Sequence, residues 1–138
     1  MRTIYGLALI LLTVVCCGCG PENRAEISGK VLLDGQPLKK GSISFIPTAG
    51  NKGPAAGASI SDGTYHIKRE KGAAIGKNIV QIRALKATGK KMRSASGELF
   101  DEFVSVVPSE YGANSKIVKE VRPGANQIDI NIETSPKK

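Results

Sequence analysis

Residues 27–47 read ISGKVLLDGQPLKKGSISFIP. Over residues 26–33 apolar and polar side chains alternate. Ile27, Gly29, Val31 and Leu33 fall on one face and Ser28 and Lys30 on the other, the period of a half-buried strand. Asp34-Gly35 then marks a reversal. Pro37, which has no amide hydrogen to give to a ladder, starts the return. Residues 42–47 repeat the alternation with Ile43 and Phe45 together.

The same pattern runs on to the end of the chain. A weaker strand is expected over 55–61, a tight turn at Asp62-Gly63, and a strand over 64–69 with Tyr65 and Ile67 inward. Residues 72–76 read as a turn. The strongest strand is expected over 78–85, with Ile79, Val80 and Ile82. Further strands follow over 102–107 with Phe103, over 116–121, and over 127–133, where Ile128, Ile130 and Ile132 alternate with Asp129 and Asn131. After Cys19 there are twelve Ile and seven Val against five Leu, a β-branched bias that suits pleated surfaces and is stiff in helices. No window of helical length both lacks a glycine or proline and shows a clean 3.6-residue period. The sequence predicts an all-β domain over 26–133, a sandwich of seven or eight short antiparallel strands.

The N-terminus reads as an address. Residues 1–19, MRTIYGLALILLTVVCCGC, place Arg2 before an apolar run from Ile4 to Val15, with small residues and cysteines after it. This is the layout of a secretory signal, and the run is too short for the roughly 20 apolar residues of a membrane span. The stretch VVCCGCGPE resembles a bacterial lipobox, in which a small residue precedes the cysteine that receives diacylglycerol. Cys19, preceded by Gly18, fits best; Cys17 is the alternative. The resemblance implies a lipoprotein signal over 1–18, a lipidated cysteine and tether over 19–25, and a protein exported and anchored in the cell envelope. Gly20 carries no Asp-type retention signal, so the outer membrane is the destination implied by analogy. Residues 134–138 read as a flexible basic tail.

Composition excludes several kinds of chemistry. The chain has 138 residues, net charge +8, one His, and three Cys that all lie within residues 16–19. A His/Cys metal cluster or a Cys–His catalytic pair therefore has no ligands in the folded part. His66, flanked by inward Tyr65 and Ile67, is expected on the surface. Asp34 and Asp62 sit in turns rather than in a calcium loop, and no nucleophile elbow exists. Glu98, Asp101 and Glu102 form one acidic cluster, read as a solvated face. No catalytic residue, metal or cofactor is expected. Lys86, Lys90, Lys91 and Arg93 lie in KATGKKMRSASGE, residues 86–98, which reads as a long exposed loop and the candidate contact with an anionic surface. Nucleic acid is a poor partner, since the protein is read as exported and its few aromatics are mostly committed to strands.

A family resemblance follows from these residues. Ile27-x-Gly29-x-Val31 with Gly35-x-Pro37-Leu38, then Gly41-x-Ile43-x-Phe45-x-Pro47, resembles the opening of carboxypeptidase regulatory-like, transthyretin-like domains. SDGTY at 61–65 and Gly76-Lys77 before IVQIRA are similar to that family's next hairpin and strand. The whole, including the ending at 108–133, looks like small lipoproteins of the planctomycete type. Asn78 stands where the family often has Tyr, a departure expected to loosen the core edge. The resemblance implies an immunoglobulin-like or transthyretin-like Greek-key sandwich with an accessory role and no peptidase activity.

The function expected is therefore non-catalytic: a lipid-anchored envelope protein acting as a structural or binding module, with an envelope protein or polysaccharide as partner. The alternative is a binder of carbohydrate or anionic polymer at the cell surface, to be recognised by an exposed aromatic patch of Phe100, Phe103 and Tyr111. A partner-dependent subunit would instead leave a sheet edge open.

Overall fold

The computed structural model describes residues 23–135. The signal over 1–18, Cys19 and Cys17, most of the tether, and residues 136–138 lie outside the described residues.

Within that range the chain is all-β, with one 3₁₀ turn at Arg69–Lys71 and no α-helix. The strands are β1 (Arg24–Leu33), β2 (Gln36–Pro37), β3 (Lys40–Pro47), β4 (Ala56–Ser61), β5 (Thr64–Ile67), β6 (Ala73–Ala74), β7 (Gly76–Arg83), β8 (Leu85–Arg93), β9 (Leu99–Ser105), β10 (Val118–Val121), β11 (Ala125–Gln127) and β12 (Ile130–Ile132). The main sheet runs β10-β7-β3-β4-β5-β1-β11, with β2, β6 and β12 also on β1. Most pairings are antiparallel, but β1 pairs in parallel with both β11 and β12. β8 and β9 form a separate two-stranded sheet.

Two Asp-Gly turns set the first half. Asp34 and Gly35 have φ of 51° and 82°, and Asp62 and Gly63 have 48° and 75°. Two successive positive φ values give the twist that tight hairpins need. The turns knit together. Gly63 N–H donates to Leu38 O at 2.8 Å, and Val31 N–H donates to Gly63 O at 2.8 Å. β4 and β5 share one ladder pair, Ser61 with Thr64, so the sheet curls strongly there. The curl brings Phe45 of β3 and Tyr65 of β5 together, with ring centroids 6.1 Å apart.

The inward alternation fills one core. Ile27, Val31, Ile43, Phe45, Val80, Ile82, Val121 and Ile132 are at most 1% exposed, each stabilising the fold by about 1.5–3 kcal/mol before ordering costs. Asn78 is buried among them. Its Nδ2 donates to Ala74 O at 2.8 Å and to Gly76 O at 2.9 Å, while Oδ1 has no partner. The amide ties β7 back to Ala74 of β6.

Several expected boundaries move. Among the described residues there are twelve strands, from two to ten residues long, rather than seven or eight short ones. Arg24 and Ala25, expected in the tether over 19–25, begin β1, because Ala25 is fully buried opposite Ala73. The expected turn at 72–76 contains β6, which pairs with that same start of β1. The strand expected over 127–133 is two strands. Asp129 Oδ1 takes the Lys30 amide at 2.8 Å in place of a backbone carbonyl, interrupting the ladder. Thr134, expected in the flexible tail, is tied to Asp34 by two hydrogen bonds. Residues 86–98 are not a loop: 86–93 belong to β8, paired with β9.

Candidate functional site

β7 rises about 23 Å from Gly76 to Arg83 at ~3.3 Å per residue. Its start lies beside the chain entry, where Ile75 N–H donates to Asn23 O at 3.1 Å and Arg24 pairs with Ala74. Its end continues through Ala84 into β8. The β8–β9 hairpin therefore leaves the body at the end opposite the one where the described chain enters. A backbone bond from Val106 N–H to Ala84 O, 3.1 Å, closes the foot of the hairpin.

The hairpin carries most of the exposed apolar surface. Among the described residues seven large hydrophobic side chains are exposed, and six of them are here: Leu85, Met92, Leu99, Phe100, Phe103 and Val104. Alternation and register divide them. Leu85, Leu99 and Phe103 share one face, and Met92, Phe100 and Val104 the other. A bulge sets Thr88, Gly89 and Lys90 against Glu102, adding local twist. Neither face is packed on the body along most of its length, as every β8 residue is exposed. A two-stranded ribbon of this kind is marginal on its own.

The four basic residues of this segment are strung along the hairpin and do not converge. Lys91 pairs with Asp101 at 2.6 Å. Arg93 Nη1 donates to Gly97 O at 3.2 Å near the tip. Lys90 lies in the bulge, its amide donating to Thr88 Oγ1 at 3.2 Å. Lys86 sits at the foot. The acidic cluster is divided as well: Glu102 Oε2 accepts the Thr88 hydroxyl at 2.6 Å, and Asp101 is held by Lys91. Phe100 is exposed, but it does not join Phe103 and Tyr111 in one aromatic patch. Phe100 and Phe103 are three residues apart and point to opposite faces, and Tyr111 lies on the body with its hydroxyl accepting the Glu133 amide at 3.3 Å.

The foot of the hairpin is more concave. A half-open cleft of about 590 Å³ lies between it and the corner formed by β1, β2 and β3. Leu33, Leu38, Leu85 and Val106 supply its apolar lining. Lys39, Lys40 and Lys86 border it, and no carboxylate does. Leu85, 64% exposed, also borders two adjoining clefts of about 410 and 480 Å³. Of these residues the sequence reading singled out only Lys86 as a contact. The pair Lys39-Lys40 was visible as a charge doublet, but nothing in the sequence placed it beside Lys86.

The other candidate groups sit as surface and turn chemistry. His66 Nε2 lies 2.7 Å from Glu26 Oε1, with both side chains about half exposed. Asp34 holds Thr134. Among the described residues no group of three or more His, Cys, Asp or Glu side chains is placed to hold a metal ion. None of the described helices is long and apolar enough to cross a membrane.

No protein-family model matches this chain, and no curated protein sequence does. Among solved structures it is similar to a 9R-lipoxygenase from Cyanothece PCC8801, with TM-score 0.34 and 9% identity. That match covers 83% of this chain and 17% of the lipoxygenase chain, so the chain spans about a sixth of that protein's length.

Proposed function

We propose that this chain is a non-catalytic, lipid-anchored protein of the cell envelope, a binding module whose contact element is the β8–β9 hairpin. In this reading the protein is exported, lipidated at Cys19 (Cys17 is the alternative), and held at the outer membrane. The domain is a transthyretin-like Greek-key sandwich of the carboxypeptidase regulatory-like type, resembling the small planctomycete lipoproteins. The motifs over 27–47 and 61–65 support that family, and the two Asp-Gly turns with paired positive φ agree with it. Several acyl chains on one cysteine would hold the protein almost permanently, at about 0.8 kcal/mol per buried methylene.

One observation carries the binding role. Among the described residues, six of the seven exposed large hydrophobic side chains are gathered on one projecting hairpin, and surface patches of that kind mark interaction sites. The hairpin leaves the end away from Asn23, so a protein tethered through residues 20–23 presents it away from the anchoring membrane. Its partner is then another component of the envelope, protein or polysaccharide. The second reading, a binder of carbohydrate or anionic polymer, rests on the exposed Phe100 and Phe103, one on each face of the hairpin, and on Lys86, Lys90, Lys91 and Arg93 along the same strand pair.

Intact mass spectrometry of the membrane-extracted chain tests the anchor. Residues 19–138 plus diacylglycerol and an acyl chain is the expected mass; an unlipidated product cut elsewhere would overturn it. Co-sedimentation with a carboxylated polysaccharide, comparing the native chain with Phe100→Ser/Phe103→Ser, separates the second reading from the first.

A further inference from the structure

We propose that the cleft at the foot of the hairpin is a binding site for a single-chain anionic amphiphile, a molecule with a carboxylate or phosphate head and one alkyl tail. The proposal deepens the binding-module reading and rests on it for where the protein meets such a molecule. The site itself stands on separate observations.

The first is charge. Lys39, Lys40 and Lys86 come from two different segments, yet they border one cleft that no carboxylate borders. The described ion pairs are His66–Glu26 and Lys91–Asp101, so none of the three ammonium groups is neutralised by a described residue. Three like charges around one concavity repel one another, and an anion placed among them relieves that repulsion. The second is the lining. Leu33, Leu38, Leu85 and Val106 form an apolar bed that a simple inorganic anion would leave uncovered. Leu85, which borders all three clefts, stays 64% exposed, and an alkyl chain would cover it. The third is size. A volume of about 590 Å³ lies within the roughly 300–1,000 Å³ of small-molecule sites. The charged rim and apolar floor together call for a head and a tail on the same molecule.

The test is photo-crosslinking on the full chain in its membrane, with a long-chain fatty carboxylate bearing a diazirine in the tail. The labelled residues are mapped by peptide mass spectrometry. Adducts are expected at the peptides containing Leu33, Leu38, Leu85 and Val106. The matching fatty alcohol and quaternary ammonium should label them about tenfold less, as should the variant Lys39→Gln/Lys40→Gln/Lys86→Gln, since each lacks the attraction between the head and the three ammonium groups. Lys90→Gln/Arg93→Gln should label as the native chain does. Leu85→Glu, exposed and so compatible with folding, should abolish labelling even if the triple variant is poorly produced. Labelling that spreads along β8 and β9, or depends on the tip residues instead of Lys39, Lys40 and Lys86, would overturn the cleft and mean non-specific adsorption of the probe along the hairpin. Equal labelling by the alcohol would overturn the role of charge. Intact mass of the same preparation reports the anchor separately, so loss of the anchor and loss of the site are distinguishable.

Discussion

The carboxylate of Asp34 accepts the Thr134 hydroxyl at 2.5 Å and the Thr134 amide at 2.9 Å, across 100 residues of sequence. The first tight turn and the segment after the last strand are thereby joined. The hydroxyl bond, then the amide bond, holds the Asp34 carboxyl below its usual range. A carboxyl whose folded pKa is depressed adds stability that is present above its unfolded value, near 3.8, and is lost as pH falls through the folded value. Acid titration followed by circular dichroism should therefore show Thr134→Ala unfolding at higher pH than the native chain. Coincident acid midpoints would sink this account.

Tyr65 makes a second long-range tie. Its hydroxyl donates to Ile128 O at 2.7 Å in the core. Tyr65→Phe leaves that buried carbonyl unpaired and should cost about 1–3 kcal/mol in urea denaturation. Burial first, and the charge of Asp129 second, push the phenol pKa well up. The neutral form is the one the fold keeps. Its contribution is full below the unfolded value near pH 10 and falls as pH rises beyond it. The alkaline decline in stability should be shallower in Tyr65→Phe; equal slopes would remove Tyr65 as its cause.

Asn78→Ala should destabilise by about 1–3 kcal/mol, because Ala74 O and Gly76 O each lose a donor. A thermal midpoint matching the native chain would mean that water replaces the amide at both carbonyls.

Glycine substitutions should separate the body from the hairpin. Gly63 has φ of 75°, and an added Cβ would lie 2.6 Å from Pro37 Cβ. Gly97, at the hairpin tip, has φ of 88° with open space around it. Both replacements incur the left-handed penalty of about 1–2 kcal/mol, but only Gly63→Ala adds a clash. Chemical denaturation should rank Gly63→Ala well below Gly97→Ala, and the reverse order would contradict the packing of the two turns.

Amide exchange should distinguish the two sheets. β3 pairs on both sides, with β4 and β7, whereas β8 pairs only with β9 and is exposed along its length. Amides of β8 and β9 are expected to exchange through local opening, orders of magnitude faster than those of β3 and β7. Uniform protection would mean that the hairpin is covered in the isolated protein.

The all-β class was legible from residues 27–47 and from the β-branched bias, because period-two alternation and Asp-Gly turns are local properties of the backbone. The inward placement of Tyr65, Ile43, Phe45 and Ile82, and the outward placement of His66, followed from the same alternation. The hairpin was not legible. KATGKKMRSASGE has no apolar alternation to mark a strand, and it pairs because Leu99–Ser105 supplies a partner edge at the right distance. The break at Asp129 was hidden too, since a side chain replaces a carbonyl only where Lys30 stands opposite. The candidate cleft depends on the same kind of fact. Lys39-Lys40 and Lys86 lie more than forty residues apart, and the antiparallel register of β3 on β7, with Ser42 opposite Arg83, brings them to one end of the sheet. Local periodicity dictates which residues face inward; long-range pairing, which no local signal encodes, dictates which surface residues become neighbours.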